Sequence, residues 1–427
     1  MRFLLFLLVN AMLFIRPAEF APALLGWKIY EACILSCLGL AYPVVLKQWT
    51  TRSLVEAPLT ACVVGLLAAI GLSDLVNLPF GETVAQVTEF VKLLLYYFLL
   101  VGLVDTPKRL KTFLASLAIF AAIITALAVA HYHGWVRVPA IEFLESTVEE
   151  ADDSEMVRRL GSTGLFADPN DMCLMLVMSM VVCAYQIFEN RRWLWAAPLF
   201  LFGHAFTLTH SRGGFLGLLA AVTAALAARF GRKAVLPGAL VLPVLFLVFA
   251  GRQTNITVSA TTGQSRLQLW TEGLALFVHN PVFGIGTNRF QDFAGHVAHN
   301  SFIHAYTEMG FPGGTLFTGA FALALWGIAR LGGEEREIVD PDLRALRPYV
   351  LGIVAGYVMG MMSLSQCYLI PTYLVLGVAA VFVRMAETEP ALAPLRFDGR
   401  LAGRLALLSL GFVAAAQIGI RILGRSS

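Results

Sequence analysis

Two kinds of side chain in this sequence could do chemistry on a charged ligand. The first is a small set of arginines in polar turns between apolar runs. Arg212 lies in Thr209-His210-Ser211-Arg212-Gly213-Gly214, a tight turn joining two apolar stretches. Arginine at mid-membrane depth costs about 2.5–3.5 kcal/mol on insertion scales, so even near an interface it needs water or an anion. It can snorkel to the interface or clamp an anion, and flanking glycines would let a ligand approach the backbone. Arg159 begins Arg159-Leu160-Gly161-Ser162-Thr163-Gly164-Leu165-Phe166, just before Asp168-Pro169-Asn170 opens an apolar run. Arg266 lies near the start of an amphipathic stretch. Singly, each is an ordinary solvated charge. Meeting at one point, two or three would suit a diphosphate, because guanidinium pairs bidentately with phosphate oxygens and stays charged.

The second kind is an imidazole. His299 opens His299-Asn300-Ser301-Phe302-Ile303-His304-Ala305-Tyr306-Thr307-Glu308, at the start of a long apolar helix. There it can accept a proton near neutral pH or serve as an interfacial hydrogen-bonding residue. Asn300, His304 and Glu308 follow at four-residue spacing and share one helix face. An acid such as Glu308, a turn or more inside a span, is either functional or a buried polar strut. Asp340-Pro341-Asp342 has the spacing of a metal-holding D-x-D, but it lies in a short loop with no nucleotide-binding domain attached. The six cysteines form no C-x-x-C pair, so no zinc site or disulfide framework is indicated, and no metal or cofactor is expected.

The elements that must position these groups are membrane helices. Of 427 residues, 58% are hydrophobic and only 14% charged, with mean hydropathy +0.74. A soluble domain carries far more charge. A net charge of +3 gives no reason to expect nucleic acid. A spanning helix needs roughly 20 apolar residues. Spans are predicted near 3–15, 28–46, 58–76, 84–104, 112–131, 170–188, 193–210, 213–230, 234–250, 301–329, 348–364, 367–384 and 403–423. The fold class is therefore an all-α polytopic membrane protein with about 12–13 transmembrane helices. Met1, Arg2 and the apolar run to Ile15 resemble a signal peptide, but Arg16-Pro17-Ala18-Glu19 is a poor cleavage context, so a short first span is expected. Trp27, Trp49, Trp193, Trp195 and Trp326 lie near span ends, as interface aromatics do. Gly352, Gly356 and Gly360 form a ridge that would let another helix come close.

Lysine and arginine crowd one set of alternating loops, which places the N-terminus inside and leaves a sparse outer set including Arg159, Arg212 and Arg266. Two long outer segments result. One runs from His131 to about Asp168 and carries an acidic stretch, Glu142 to Glu155. The other runs over 251–300, polar at Thr254 to Gln264, then an amphipathic helix over Ser265 to His279 with Leu267, Trp270, Leu274 and Phe277 apolar. Asn280-Pro281 and Gly284-Ile285-Gly286 break it. Three regions follow: N-terminal spans in 1–150, a core in 151–330 that includes the 251–300 loop, and a cytoplasmic loop with C-terminal spans in 331–427.

Four blocks in this order, Arg159–Asn170, Ser211–Gly217, Arg266–Gly286 and His299–Gly314, resemble the O-antigen ligase and polymerase family of polyprenyl-dependent membrane glycosyltransferases. The resemblance covers roughly 155–320; the first spans add only pattern and the Arg16-Pro17 step. It implies a bacterial inner-membrane enzyme with a periplasmic site. Such an enzyme takes glycan from an undecaprenyl-diphosphate donor to an acceptor hydroxyl, on the lipid A core in ligases or on another glycan repeat in polymerases. By motif position Arg212 and Arg266 would bind the diphosphate, with Arg159 beside them. His299 would deprotonate or orient the acceptor hydroxyl, with Asn300 and Glu308 in support. The alternative is a transporter or flippase of lipid-linked oligosaccharide, which would more often show inverted repeats and charges on both sides of the midplane. Ligase and polymerase share these motifs.

Overall fold

The computed structural model describes residues 1–20, 26, 28–141, 144–150, 153–249, 261–332 and 336–423. In chain order the first helices are α1 (Arg2–Ile15), α2 (Pro17–Phe20), α3 (Ile29–Gln48), α4 (Thr51–Glu56), α5 (Pro58–Asn77), α6 (Phe80–Leu103) and α7 (Pro107–Tyr132). A hairpin of β1 (Leu144–Glu150) and β2 (Asp153–Arg159) follows, then α8 (Pro169–Phe188), α9 (Ala196–Thr209), α10 (Arg212–Phe230) and α11 (Val235–Val248). Next come α12 (Thr261–His279), α13 (Phe290–Ala294) and α14 (Ser301–Ala329). The chain closes with β3 (Glu337–Ile338), α15 (Pro341–Met361), α16 (Ile370–Met385), β4 (Thr388–Glu389) and α17 (Gly399–Leu423).

Eight described helices, α3, α5, α6, α7, α8, α10, α14 and α17, are long and apolar enough to cross a membrane. Three shorter apolar stretches, Trp193–Thr209, Val235–Val248 and Ile370–Met385, add to them. Large apolar side chains stand exposed along α11 (Leu236, Leu240, Leu247) and α17 (Leu407, Leu410, Ile418). Water would not tolerate so continuous an apolar surface, and lipid does. The expected all-α polytopic membrane fold is observed. Trp27 and most of the Thr254 to Gln264 stretch fall outside the described residues.

The chain divides into two compact units. The first comprises Met1–Tyr42, Leu103–Ile256 and Pro341–Gly360. In it α10 packs on α15 through glycine. A Cβ on Gly356 would lie 2.9 Å from the Gly217 carbonyl oxygen and 2.9 Å from Ala221 Cβ, so the expected small-residue ridge does bring two backbones together. Arg229, Glu189 and Tyr349 tie the same helices: the Tyr349 hydroxyl donates to Glu189 at 2.8 Å and accepts from Arg229 at 2.9 Å. Asp342 of the D-x-D pairs with Lys111 at 2.5 Å.

Within the acidic stretch, to which the sequence reading assigned no element, β1 and β2 form an antiparallel hairpin that pairs Leu144 with Arg159 and Glu150 with Asp153. Glu and Asp are poor strand formers, so composition gives no signal of it. The hairpin ends where Leu160 N–H donates to the Leu208 carbonyl at 2.9 Å, pinning it to α9.

The second unit comprises Pro43–Gly102, Thr257–Asp340 and Met361–Ser427. Its centre is α14 packed on α5, α12, α16 and α17. The sequence predicts one continuous helix over 301–329. Instead Gly310 adopts φ 64°, ψ −168°, and the helix breaks there, just ahead of Pro312. The segment Pro281–Gly286 crosses the break. Ile285 N–H donates to the Thr307 carbonyl at 3.1 Å, Gly286 N–H to the Glu308 carbonyl at 3.2 Å, and Phe311 N–H to the Pro281 carbonyl at 2.7 Å. Ser73 Oγ from α5 also donates to the Glu308 carbonyl, at 2.6 Å. A broken helix is tolerated at membrane depth when other groups take up the freed backbone. The crossing requires glycine: a Cβ on Gly284 would sit 2.3 Å from the Glu308 oxygen, and one on Gly310 2.3 Å from the Val282 oxygen.

Candidate functional site

In the first unit, the turn before α10 is built from polar groups. Ser211 caps the helix, its Oγ accepting from Gly214 N–H at 3.1 Å. The same hydroxyl donates to Asn170 Oδ1 at 2.7 Å. Arg159 reaches the turn as well: its Nε donates to the Thr209 carbonyl at 2.9 Å and an Nη to Asn170 Oδ1 at 2.9 Å. Asn170 is held in turn by Asp168 Oδ1, which accepts from its backbone and side-chain nitrogens at 2.7 and 2.9 Å. His210 supplies the bend with φ 49°, a left-handed conformation that costs a non-glycine residue about 1–2 kcal/mol.

Arg212 occupies the first helical position beyond this cap. Its Nε is buried and has no hydrogen-bond partner among the described residues. A helix start already favours negative charge, and an arginine there with an uncommitted nitrogen strengthens the preference. Gly214 has a packing role as well. A Cβ there would lie 2.1 Å from Cys173 Sγ, so the glycine serves the packing of α10 on α8. Arg16, in the left-handed region with φ 48°, pairs with Glu19 at 2.6 Å and lies against Gly164.

The second unit holds Arg266, His299, Asn300 and Glu308. Arg266 is half-buried in the second turn of α12. The apolar face of that helix is the expected one: Leu267, Leu274 and Phe277 are buried, and Trp270 Nε1 donates to the Ala298 carbonyl at 3.1 Å. Asn300 is the N-cap of α14, its Oδ1 accepting from Phe302 and Ile303 N–H at 3.0 and 3.2 Å. His299 precedes the cap with φ 48°, and its N–H donates to Ser365 Oγ at 3.0 Å. The loop of Ser365 is stapled to the same helix start. Ser301 Oγ donates to the Leu364 carbonyl at 2.6 Å and accepts from Gln366 N–H at 2.8 Å, and Cys367 Sγ donates to the Ser301 carbonyl at 2.9 Å. The backbone that carries the imidazole at 299 is thus tied to the 364–367 loop.

Glu308 is fully buried and accepts three hydrogen bonds. They come from Asn288 N–H at 2.9 Å, Phe290 N–H at 2.8 Å and His304 Nε2 at 3.1 Å. The shared face expected for His304 and Glu308 is observed as a direct contact. Glu308 organises the loop between α12 and α13. Asp74 does the same from α5, accepting from Thr287 N–H at 2.7 Å and from its hydroxyl at 3.0 and 2.8 Å. Asn77 Nδ2 donates to the Gly284 carbonyl at 3.1 Å. Asp74 and Asn77, at the end of the span predicted near 58–76, are not among the candidate residues read from sequence. A carboxylate inside an apolar run was the signal available.

The structure brings Arg159 to the turn that presents Arg212, and places His299 and Asn300 at the start of α14, with Glu308 about two turns further along the helix. Fold and surface define a polytopic all-α membrane protein with two polar constellations. Residues 197–318 match the family model described as O-antigen ligase (Wzy_C), the family the sequence motifs resemble. The matched stretch includes Arg212, Arg266, His299, Asn300 and Glu308 and leaves out Arg159. No curated protein matches the chain.

Proposed function

We propose that this protein is an inner-membrane glycosyltransferase of the O-antigen ligase or polymerase type. It moves glycan from undecaprenyl diphosphate to an acceptor hydroxyl, on the lipid A core or on a growing polysaccharide, at the periplasmic face. The match over residues 197–318 carries this reading, because it covers the arginine at the α10 start and the histidine at the α14 start.

The chemistry asks little of the protein beyond charge and a base. The acceptor oxygen attacks the anomeric carbon as the bond to the diphosphate breaks, with inversion at that carbon. The hydroxyl proton passes to His299, and undecaprenyl diphosphate leaves. A positioned base contributes about 10²–10⁴-fold. Arg212 and Arg266 neutralise the charge growing on the diphosphate, so this mechanism calls on no metal ion; fixed donors of this kind are typically worth about 10²–10³-fold each. Arg159 serves the donor side by holding the turn that carries Arg212. Asn300 and Glu308 support His299 by fixing the start of α14 and the loop beside it.

The test is single replacement of Arg212, Arg266 and His299 by alanine, with membrane levels checked and surface glycan assayed. Loss of glycan in each is expected. Normal glycan in all three would reject the mechanism. Thr261→Cys tests the orientation: it should label from outside in intact spheroplasts, and labelling only after lysis would reverse the topology.

A further inference from the structure

Beside the buried dyad of the second unit lies a cleft of about 80 Å³, lined by Gln86 and Phe90 of α6, by Thr287 and Asn288, and by Tyr368. Its polar rim is a pair of side-chain amides that the fold holds in place. Asn288 Nδ2 donates to Gln86 Oε1 at 2.7 Å, which leaves the Gln86 amide N–H groups and the Asn288 carbonyl oxygen as a paired donor and acceptor. Asn288 sits in the left-handed region at φ 57°, pinned there because its N–H is given to Glu308. Strain of this kind persists only where the surroundings enforce it, and it marks sites where a side chain must be aimed.

Tyr368 forms the opposite wall. Its Oη is buried and turned to the Glu308 carboxylate, so it is the ring that faces the cleft. Its ring stands edge-on to His304, centroids 5.7 Å apart. Tyr368 is three residues from Ser365, which holds the backbone of His299, and Tyr373 fixes the loop by donating to the Cys367 carbonyl at 2.9 Å. A ligand edge in this cleft would therefore be held by the same loop that sets the proposed base.

The mixture of groups selects a ligand class. An amide pair suits neighbouring hydroxyls, which donate and accept at once, and the Glu89 carboxylate in the lining adds an acceptor. Phe90, Ile70 and Leu93 give an apolar wall for C–H groups. A pyranose ring presents both faces, whereas a phosphate would want the guanidiniums that this cleft lacks. We propose that the Gln86–Asn288–Tyr368 cleft is a hydroxyl-binding subsite for one pyranose ring of the glycan handled by this enzyme. This rests on the proposed transferase reading for its purpose, but sugar binding can be measured without turnover.

The probes are free D-glucose, D-galactose, D-mannose, L-rhamnose and N-acetyl-D-glucosamine, tested by saturation-transfer NMR on the full-length protein in detergent. At least one should bind the wild type, and Gln86→Ala should weaken that binding about ten-fold, the value of one hydrogen bond. Asn288→Gly keeps the backbone conformation and should weaken it similarly. Arg212→Ala should leave sugar binding unchanged while abolishing transfer. In the transfer assay, the cleft variants should raise KM about ten-fold with kcat within about two-fold. A rise for the acceptor assigns the ring to the acceptor glycan, and a rise for the donor assigns it to the donor glycan. Overturning the subsite takes either no binding of any probe to the wild type, or equal binding by wild type and cleft variants. Neither result touches the transferase reading, which stands or falls on Arg212, Arg266 and His299.

Discussion

Replacing Glu308 by alanine should destabilise the second unit more than any single hydrogen-bond deletion on its surface. The carboxylate is fully buried and accepts from Asn288 N–H, Phe290 N–H and His304 Nε2 at 2.9, 2.8 and 3.1 Å. Its removal leaves two backbone donors and an imidazole without their acceptor in a site closed to water. Breaking a buried charged contact from one side costs about 3–5 kcal/mol. On the scale of soluble domains of 150–250 residues, 1 kcal/mol moves Tm by about 2–4 °C, so a fall of roughly 6–20 °C is expected. Glu308→Gln is the milder form. Its amide oxygen can keep Phe290 N–H and His304, but its NH₂ then faces Asn288 N–H, donor against donor, at a cost of about 1–3 kcal/mol. The assay is thermal unfolding of the detergent-purified protein, followed by tryptophan fluorescence, with the glutamine variant as the measure if the alanine variant fails to accumulate. A Tm within about 2 °C of wild type for whichever variant is measured would refute the claim that Glu308 anchors the 288–290 loop.

Gly310→Ala should prevent accumulation of the folded protein, since a Cβ there would lie 2.3 Å from the Val282 oxygen at φ 64°. Gly295→Ala, also at positive φ but with open space around it, should cost only about 1–2 kcal/mol; equal membrane levels for the two variants would show that the crossing loop is not tight. Gly356→Ala should cost about 1–3 kcal/mol by pushing α15 off Gly217 and Ala221, read as a lower Tm, and an unchanged Tm would discount that helix contact. Asn300→Ala removes the cap from Phe302 and Ile303 and should cost about 0.5–2 kcal/mol, with Asn300→Ser recovering most of it. Failure of serine to recover any stability would mean the side chain does something other than capping.

Hydropathy alone determined the class of this protein, because crossing a bilayer depends on the local length and apolarity of a segment. Local chemistry also made α12 legible, through the spacing of Leu267, Leu274 and Phe277. The glycines of Gly352–Gly360 announced a close helix contact, and the motif blocks pointed to the family model that residues 197–318 match. Local pattern could not say what each polar residue touches. Ser73 meets the Glu308 carbonyl across 235 positions and Asp74 meets Thr287 across 213, distances over which a sequence window carries no information. The break in α14 is of the same kind: Gly310 is one glycine in an apolar run until Pro281–Gly286 supplies partners for the freed backbone. Tertiary structure likewise decided that Arg159 spends its guanidinium on Thr209 and Asn170, and that Asn300 is a helix cap. It made Glu308 the anchor of a loop. Residue type sets which bonds a side chain can form, and only the packed chain decides which partner comes within 3 Å of it.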